Sequence, residues 1–186
     1  MIELGSSWVA EKTEGRCRNV RSLSVLGTAT LQMEESMQKI TPCLWFDNQL
    51  EEAITFYSQI FKDSRVTQMK RSPDGKAFFA NFELAGQKFM CLNGGPHFKF
   101  NEAVSFFVDC KDQAEVDYYW EHLLDGGKEQ QCGWLKDRFG LSWQIVPEAL
   151  IRFMNDEDSV KANRVQEAMM KMVKLDVAEL ERAYRG

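Results

Sequence analysis

From Ile40 onward the apolar positions fall into short alternating runs interspersed with helical ones. Ile40 to Phe46 reads as a strand. Asn48 then offers an N-cap oxygen with Glu51 three residues on, the pattern of a capping box. Leu50, Ala53, Ile54, Tyr57, Ile60 and Phe61 follow at 3.6-residue spacing, which predicts an amphipathic helix over 48–61. Val66 to Arg71 and Ala77 to Leu84 read as strands joined by the turn Pro73-Asp74-Gly75, where proline presets φ and glycine accepts a positive one. Ala85-Gly86 turns into a further strand, Gln87 to Leu92, and Gly94-Gly95-Pro96 interrupts the pattern.

The same order recurs. Ala103 to Val108 reads as a strand, and Asp112 with Glu115 forms a second capping box. Val116, Tyr119, Trp120 and Leu123 make the buried face of a helix that Gly126-Gly127 ends. Lys128 to Cys132 and Gly133 to Asp137 read as extended segments. Arg138-Phe139-Gly140 turns into a last strand, Leu141 to Val146. The two openings, Phe46-Asp47 and Val108-Asp109, are offset by roughly 60 residues, which marks an internal repeat of one supersecondary unit.

After Pro147 the spacing is helical again. Ala162, Val165, Met169 and Met172 share a face, and Leu175, Asp176, Glu179 and Leu180 form a staple and capping box. Met169, Met170 and Met172 read as packing, in the core or between copies, rather than as a promiscuous groove. Residues 1–36 lack a sustained apolar period, and Glu3, Glu11 and Glu14 argue against a targeting peptide. The expected organisation is a leader over 1–36, flexible or non-native, with Met37 as the biological start. A first β-α-β-β-β module over 37–96, a second over 97–147 and a helical tail over 148–186 follow.

Composition narrows the function classes. The chain has 186 residues, 44% of them hydrophobic, and a net charge of −5 with acids and bases interspersed. No basic run marks a nucleic-acid face, and no apolar stretch reaches the ~18 residues of a membrane span. The five cysteines, Cys17, Cys43, Cys91, Cys110 and Cys132, are odd in number and widely spread. They read as reduced, buried thiols of a cytoplasmic protein, with Cys43 or Cys91 the position for a reactive thiol if there is one.

Catalytic signatures are sparse. His97 lies in the loop after Gly95-Pro96 and His122 on the second helix, and neither has a Cys or carboxylate neighbour at metal-ligand spacing. No GxGxxG follows a strand, and no phosphate-binding loop or GxSxG elbow is present. Asn93-Gly94-Gly95-Pro96 reads as a linker.

Four segments carry a family resemblance: Ile40-Thr41-Pro42-Cys43-Leu44-Trp45-Phe46, Glu52-Ala53-Ile54-Thr55-Phe56-Tyr57, Gly133-Trp134-Leu135-Lys136-Asp137-Arg138-Phe139-Gly140 and Ser142-Trp143-Gln144-Ile145-Val146-Pro147. Together with the repeat they resemble the PhnB-like branch of the glyoxalase/bleomycin-resistance (vicinal oxygen chelate) superfamily. That branch often carries the name 3-demethylubiquinone-9 3-methyltransferase. The resemblance implies an α+β fold, with two βαβββ modules forming a cupped mixed sheet plus C-terminal helices.

In metal-dependent members of that superfamily, His, Gln or Glu from the first and last strands of each module hold the ion. The positions that match here are Pro42, Cys91, Ala103 and Gln144. Pro and Ala have no donor, so no metal and no other cofactor are expected. The expected ligand pocket comprises Cys43, Trp45, Cys91, Phe107, Trp134, Trp143 and Gln144, with Phe139 near its rim. Such members often complete their cups by pairing modules across two chains, which implies a homodimer. The resulting expectation is a metal-free binding protein for an unknown small molecule. The alternatives are an enzyme of lyase, isomerase or dioxygenase type acting on a small carbonyl or phosphonate compound, and an interaction module that uses the C-terminal helices.

Overall fold

A computed structural model of the chain describes residues 39–186; the expectations for residues 1–36 and Met37 lie outside them. The first module runs β1 (Cys43–Phe46), α1 (Leu50–Ile60), β2 (Ser64–Arg71), β3 (Ala77–Leu84) and β4 (Gln87–Asn93). The second runs β5 (Ser105–Cys110), α2 (Gln113–Leu124), β6 (Lys128–Glu129), β7 (Trp134–Lys136) and β8 (Ser142–Pro147). The tail adds α3 (Glu148–Met154), α4 (Ser159–Met169) and α5 (Val177–Arg185). Each module is a four-stranded mixed sheet, ordered β1-β4-β3-β2 in the first and β5-β8-β7-β6 in the second. β1 pairs in parallel with β4, and β5 with β8, while the other pairings are antiparallel. The α+β architecture with two β-α-β-β-β units is therefore as the repeat implies.

Local differences have local causes. The capping box at Asn48 and Glu51 does not form. The N-cap is Gln49, without a side-chain cap bond, and the Leu50 amide donates instead to Oδ1 of Asn93, 3.1 Å away at the end of β4. A residue distant in sequence thus satisfies the exposed helix start. At the second, Asp112 does cap the helix, with the Glu115 amide donating to it at 2.9 Å, while the Glu115 carboxylate accepts from the amide of Lys111, one residue before the cap, at 3.0 Å. Asp176 likewise caps α5 through the Glu179 amide at 2.8 Å. The expected strand over 128–132 shrinks to Lys128–Glu129, because Cys132 adopts a left-handed φ of 61° and Gly133 one of 79°, which ends the extended run.

Alternation along the strands separates two faces. Leu44, Phe46, Ala80, Phe82, Phe89 and Cys91 face inward on the first sheet, packed with Leu50, Ile54 and Tyr57 of α1. Leu135, Trp143 and Ile145 do so on the second, packed with Val116, Trp120 and Leu123 of α2. One hydrophobic cluster joins both sets. Contacts between the modules run through these inner faces and the helices. Phe89 meets Phe106 edge to face at 5.1 Å between centroids, Phe61 stacks on Trp143 at 5.6 Å, and the Tyr118 hydroxyl donates to the Ile60 carbonyl at 2.9 Å.

The tail packs on a second cluster made of Val146, Leu150, Phe153, Val165, Met172, Leu175 and Leu180. Its connection between α4 and α5 is sewn to the second module. The Cys132 and Gly133 amides donate to the carbonyls of Met172 and Val173, both at 2.8 Å. Gln113 of α2 accepts from the Val177 amide at 2.8 Å and donates to the Leu175 carbonyl at 3.2 Å. Val165 and Met172 are thereby buried within the chain, whereas Met170 is 59% exposed. The shared face read from the sequence is an internal packing face at Val165 and Met172.

Candidate functional site

The side chains left outside the two inner faces form the candidate site. On the first sheet, Cys43 pairs with Met90 and Trp45 with Leu92. Asn81 and Phe79 on β3 continue those rows, and the Asn81 amide donates to Gln68 at 2.9 Å. On the second sheet, Phe107, Gln144 and Trp134 form one outer row and Ser105, Ser142 and Lys136 the next. Gln144 donates to the Ser105 hydroxyl at 2.8 Å. Phe107 is 50% exposed, and Gln144 and Trp134 are half-buried. At the end of β8, Val146 also points outward, but the tail covers it.

The seven residues expected to line a pocket divide by this alternation. Cys43 and Trp45 lie on the first outer face, and Phe107, Trp134 and Gln144 on the second. Cys91 and Trp143 lie on the inner faces, 0% and 3% exposed, and belong to the core. Burial pushes the Cys91 thiol up to about 12, so it stays protonated at neutral pH. Cys43 is exposed, and partial burial of its sulfur moves its thiol upward as well. Phe139 is held among Phe46, Phe56 and Tyr57 at centroid distances of 5.7 to 5.9 Å. Trp45 is fixed in place: its indole N–H donates to the Gly95 carbonyl at 2.8 Å. Its ring lies so close to Gly94 that a Cβ there would come within 2.2 Å of it. Glycine is needed at that position for the linker to pass.

Sequence reading missed Asp137, the one charged side chain buried in the shared core among the described residues, 3% exposed. Its Oδ2 accepts from the Tyr57 hydroxyl at 2.7 Å and the Trp143 indole at 2.9 Å. Its Oδ1 accepts from the Phe139 and Leu141 amides at 2.9 and 3.0 Å. Burial raises this carboxyl against the pull of four hydrogen bonds, and burial beside it raises the Tyr57 phenol well above its usual value. With every donor accounted for, the carboxylate acts as a joint between α1 of one module and the turn before β8 of the other. The only signal in the sequence was its place in the motif running from Lys136 to Gly140.

The residues present do not suit the divalent ion of metal-dependent relatives. Pro42 uses its backbone carbonyl on the Met90 amide at 2.9 Å, Ala103 lies in the turn before β5, and Cys91 faces the core. The outer positions beside them offer the Cys43 thiol, the Met90 thioether, and the Ser105 hydroxyl already engaged with the Gln144 amide. A catalytic divalent site takes about three imidazole, carboxylate or thiolate ligands, and this donor set is neutral and mismatched in softness. Among the described residues, no three His, Cys, Asp or Glu side chains cluster as a metal site would require. His97 and His122 are both exposed and far apart in the fold's order, one in the linker and one on α2. No described helix is long and apolar enough to cross a membrane.

Comparison with known proteins identifies the family and the fold. The 3-demethylubiquinone-9 3-methyltransferase family profile matches residues 38–146. A PhnB protein from Bacillus cereus, described as a 3-demethylubiquinone-9 3-methyltransferase, has a solved structure 32% identical in sequence. The match covers 59% of this chain and 99% of that one, with a TM-score of 0.56. A protein from Pseudomonas aeruginosa shares the fold at 20% identity and a TM-score of 0.51, over 60% of this chain and 98% of its own. No curated protein matches. With the profile spanning both β-α-β-β-β units, the chain belongs to the PhnB-like, 3-demethylubiquinone-9 3-methyltransferase family.

Proposed function

We propose that this protein is a metal-free, cytoplasmic small-molecule binder whose ligand lies against the outer sheet faces. The observation that carries this reading is the row Phe107, Gln144 and Trp134. Two aromatic side chains flank an amide on a face that the chain leaves partly open. Apolar walls with a few polar groups are the usual composition of a small-molecule site. The Cys43, Met90, Trp45 and Leu92 rows of the first sheet supply a second wall of similar character. A homodimer brings the first outer face of one copy against the second outer face of the other and encloses the ligand. The absence of suitable hard donors at the outer positions supports binding by contact and hydrogen bonding rather than by a Lewis acid.

The test is native purification followed by mass spectrometry of small molecules released on denaturation, for wild type and for Phe107→Ala and Gln144→Ala. A compound retained by the wild type and lost from both variants supports the reading. A dimer mass by light scattering supports the enclosed cup, and a monomer mass at all concentrations rejects it. A stoichiometric divalent metal lost on Gln144→Ala would replace this reading with the enzyme alternative.

A further inference from the structure

A cleft of about 290 Å³ opens where β1 ends and the linker crosses towards the second module. We propose that it is a binding site for a planar aromatic monocarboxylate, formed within one chain. It shares Trp45 with the first outer face but requires no second copy, so it goes beyond the cup reading.

Three observations lead there. First, its walls are rings. Trp45, Phe98, Phe100 and Phe139 all line it, and each is held by the fold. Trp45 is locked by its bond to Gly95 and its seat on Gly94, and Phe98 meets Trp45 edge to face at 4.9 Å. Phe100 and Phe139 both pack edge to face on buried Phe46, at 5.5 and 5.9 Å. Rigid aromatic walls favour a flat partner, because ring pairs gain from offset and edge contacts and lose little side-chain freedom.

Second, Phe98 is 66% exposed, although a large apolar core lies immediately beside it. The linker places this ring in the cleft wall, where a ligand would take its exposed face out of water.

Third, the charge of the lining is opposite to that of the chain. Lys99 and Lys136 stand against the single carboxylate of Asp47, in a protein of net charge −5. Lys136 pairs with Glu102 at 2.6 Å. Lys99 has no ion-pair or hydrogen-bond partner among the described residues, and its ammonium is free to meet an anion. A ring seated between Phe98 and Phe139 with a carboxylate directed to Lys99 uses all three features. The volume is near the lower end of the roughly 300–1,000 Å³ typical of ligand sites, which suits a single-ring acid.

The experiment uses the full chain and sodium phenylacetate as the probe, followed by titration calorimetry and by tryptophan fluorescence. Saturable one-to-one binding is expected. Phe98→Ala, at an exposed position that leaves the core intact, weakens it at least about fivefold, and Lys99→Gln weakens it by about as much through loss of a charge-assisted bond. Phenethylamine, of the same shape and opposite charge, binds at least about tenfold more weakly. The proposal is overturned by no saturation up to about 10 mM, by equal affinity for phenethylamine, or by unchanged affinity in Phe98→Ala. Loss of phenylacetate binding on Gln144→Ala would also overturn it, because the ligand would then lie in the cup. Binding by a protein that light scattering shows to be monomeric upholds the cleft while rejecting the enclosed cup.

Discussion

The Tyr57 hydroxyl of α1 donates to the Asp137 carboxylate across 80 positions of sequence, at 2.7 Å, inside the shared core. This bond, with the Trp143 indole on the same oxygen at 2.9 Å, ties the first module's helix to the second module's sheet. Both partners are buried; the Tyr57 hydroxyl depends on this acceptor, whereas Asp137 keeps three other donors.

Asp137→Asn is expected to lower stability by roughly 2–4 kcal/mol, because a buried donor left without an acceptor costs its desolvation. The amide nitrogen would face the Trp143 indole N–H, and the indole cannot turn acceptor. Tyr57→Phe removes one donor and costs only about 1 kcal/mol. Chemical denaturation of both variants and of the double variant measures the coupling. Equal costs for the two single changes would contradict the four-bond arrangement at Asp137.

The buried thiols set a pH dependence. Cys91 and Cys110 are each pushed up to about 12 by burial, against about 8.5 for an unfolded thiol. The folded state therefore keeps its protons longer. The associated stability is fully present below about pH 8.5 and is lost as pH rises towards 12. Alkylation of the native protein at pH 8 with peptide mapping should modify exposed Cys43 and spare Cys91 and Cys110. Modification of Cys91 at the rate of Cys43 would place it on the outer face instead.

The tail's seat rests on a close approach. Gly133 has φ of 79°, and a Cβ there would meet Leu175 at 2.9 Å and the Ile145 carbonyl at 3.0 Å. Gly133→Ala should cost about 1–3 kcal/mol through left-handed strain and crowding. Leu175→Ala, at a fully buried position, should cost about 2–5 kcal/mol. Thermal unfolding reads both. Wild-type melting in Leu175→Ala would show that the tail is not integral to the fold.

Asn93 holds two ends together, accepting from the Leu50 amide and donating to the Ala77 carbonyl at 2.8 Å. Asn93→Ala is expected to lose about 1–2 kcal/mol, the worth of a helix cap and a neighbouring bond. Asn48→Ala, the residue that sequence spacing favoured as cap, should be nearly neutral. The reverse order in denaturant midpoints would restore the local cap.

The family description includes a methyltransferase, yet the chain has no glycine-rich strand-to-helix turn of the kind that holds a nucleoside. Calorimetric titration with S-adenosylmethionine should show no binding. A micromolar dissociation constant would support the transferase activity that the family description carries.

The sequence by itself determined the repeat: a strand, a helix and three more strands, twice, then helices. Those elements follow from short-range periodicity, and the caps at Asp112 and Asp176 form from neighbours a few residues away. Alternation also shows that each strand has two faces, but it does not say which one the helix covers. Trp143 and Gln144 are adjacent in the chain, and only packing against α2 and Tyr57 sends the first inward and leaves the second outside. The same choice buried Cys91 and left Cys43 exposed. Tertiary structure alone decided that Asn93 rather than Asn48 caps α1, because its amide reaches the helix start only after β4 pairs with β1. It also decided how a charged Asp137 is completed in the core: three of its donors, the Phe139 and Leu141 amides and the Trp143 indole, are near in sequence, and the fourth, the Tyr57 hydroxyl, arrives from the other module only when the fold closes.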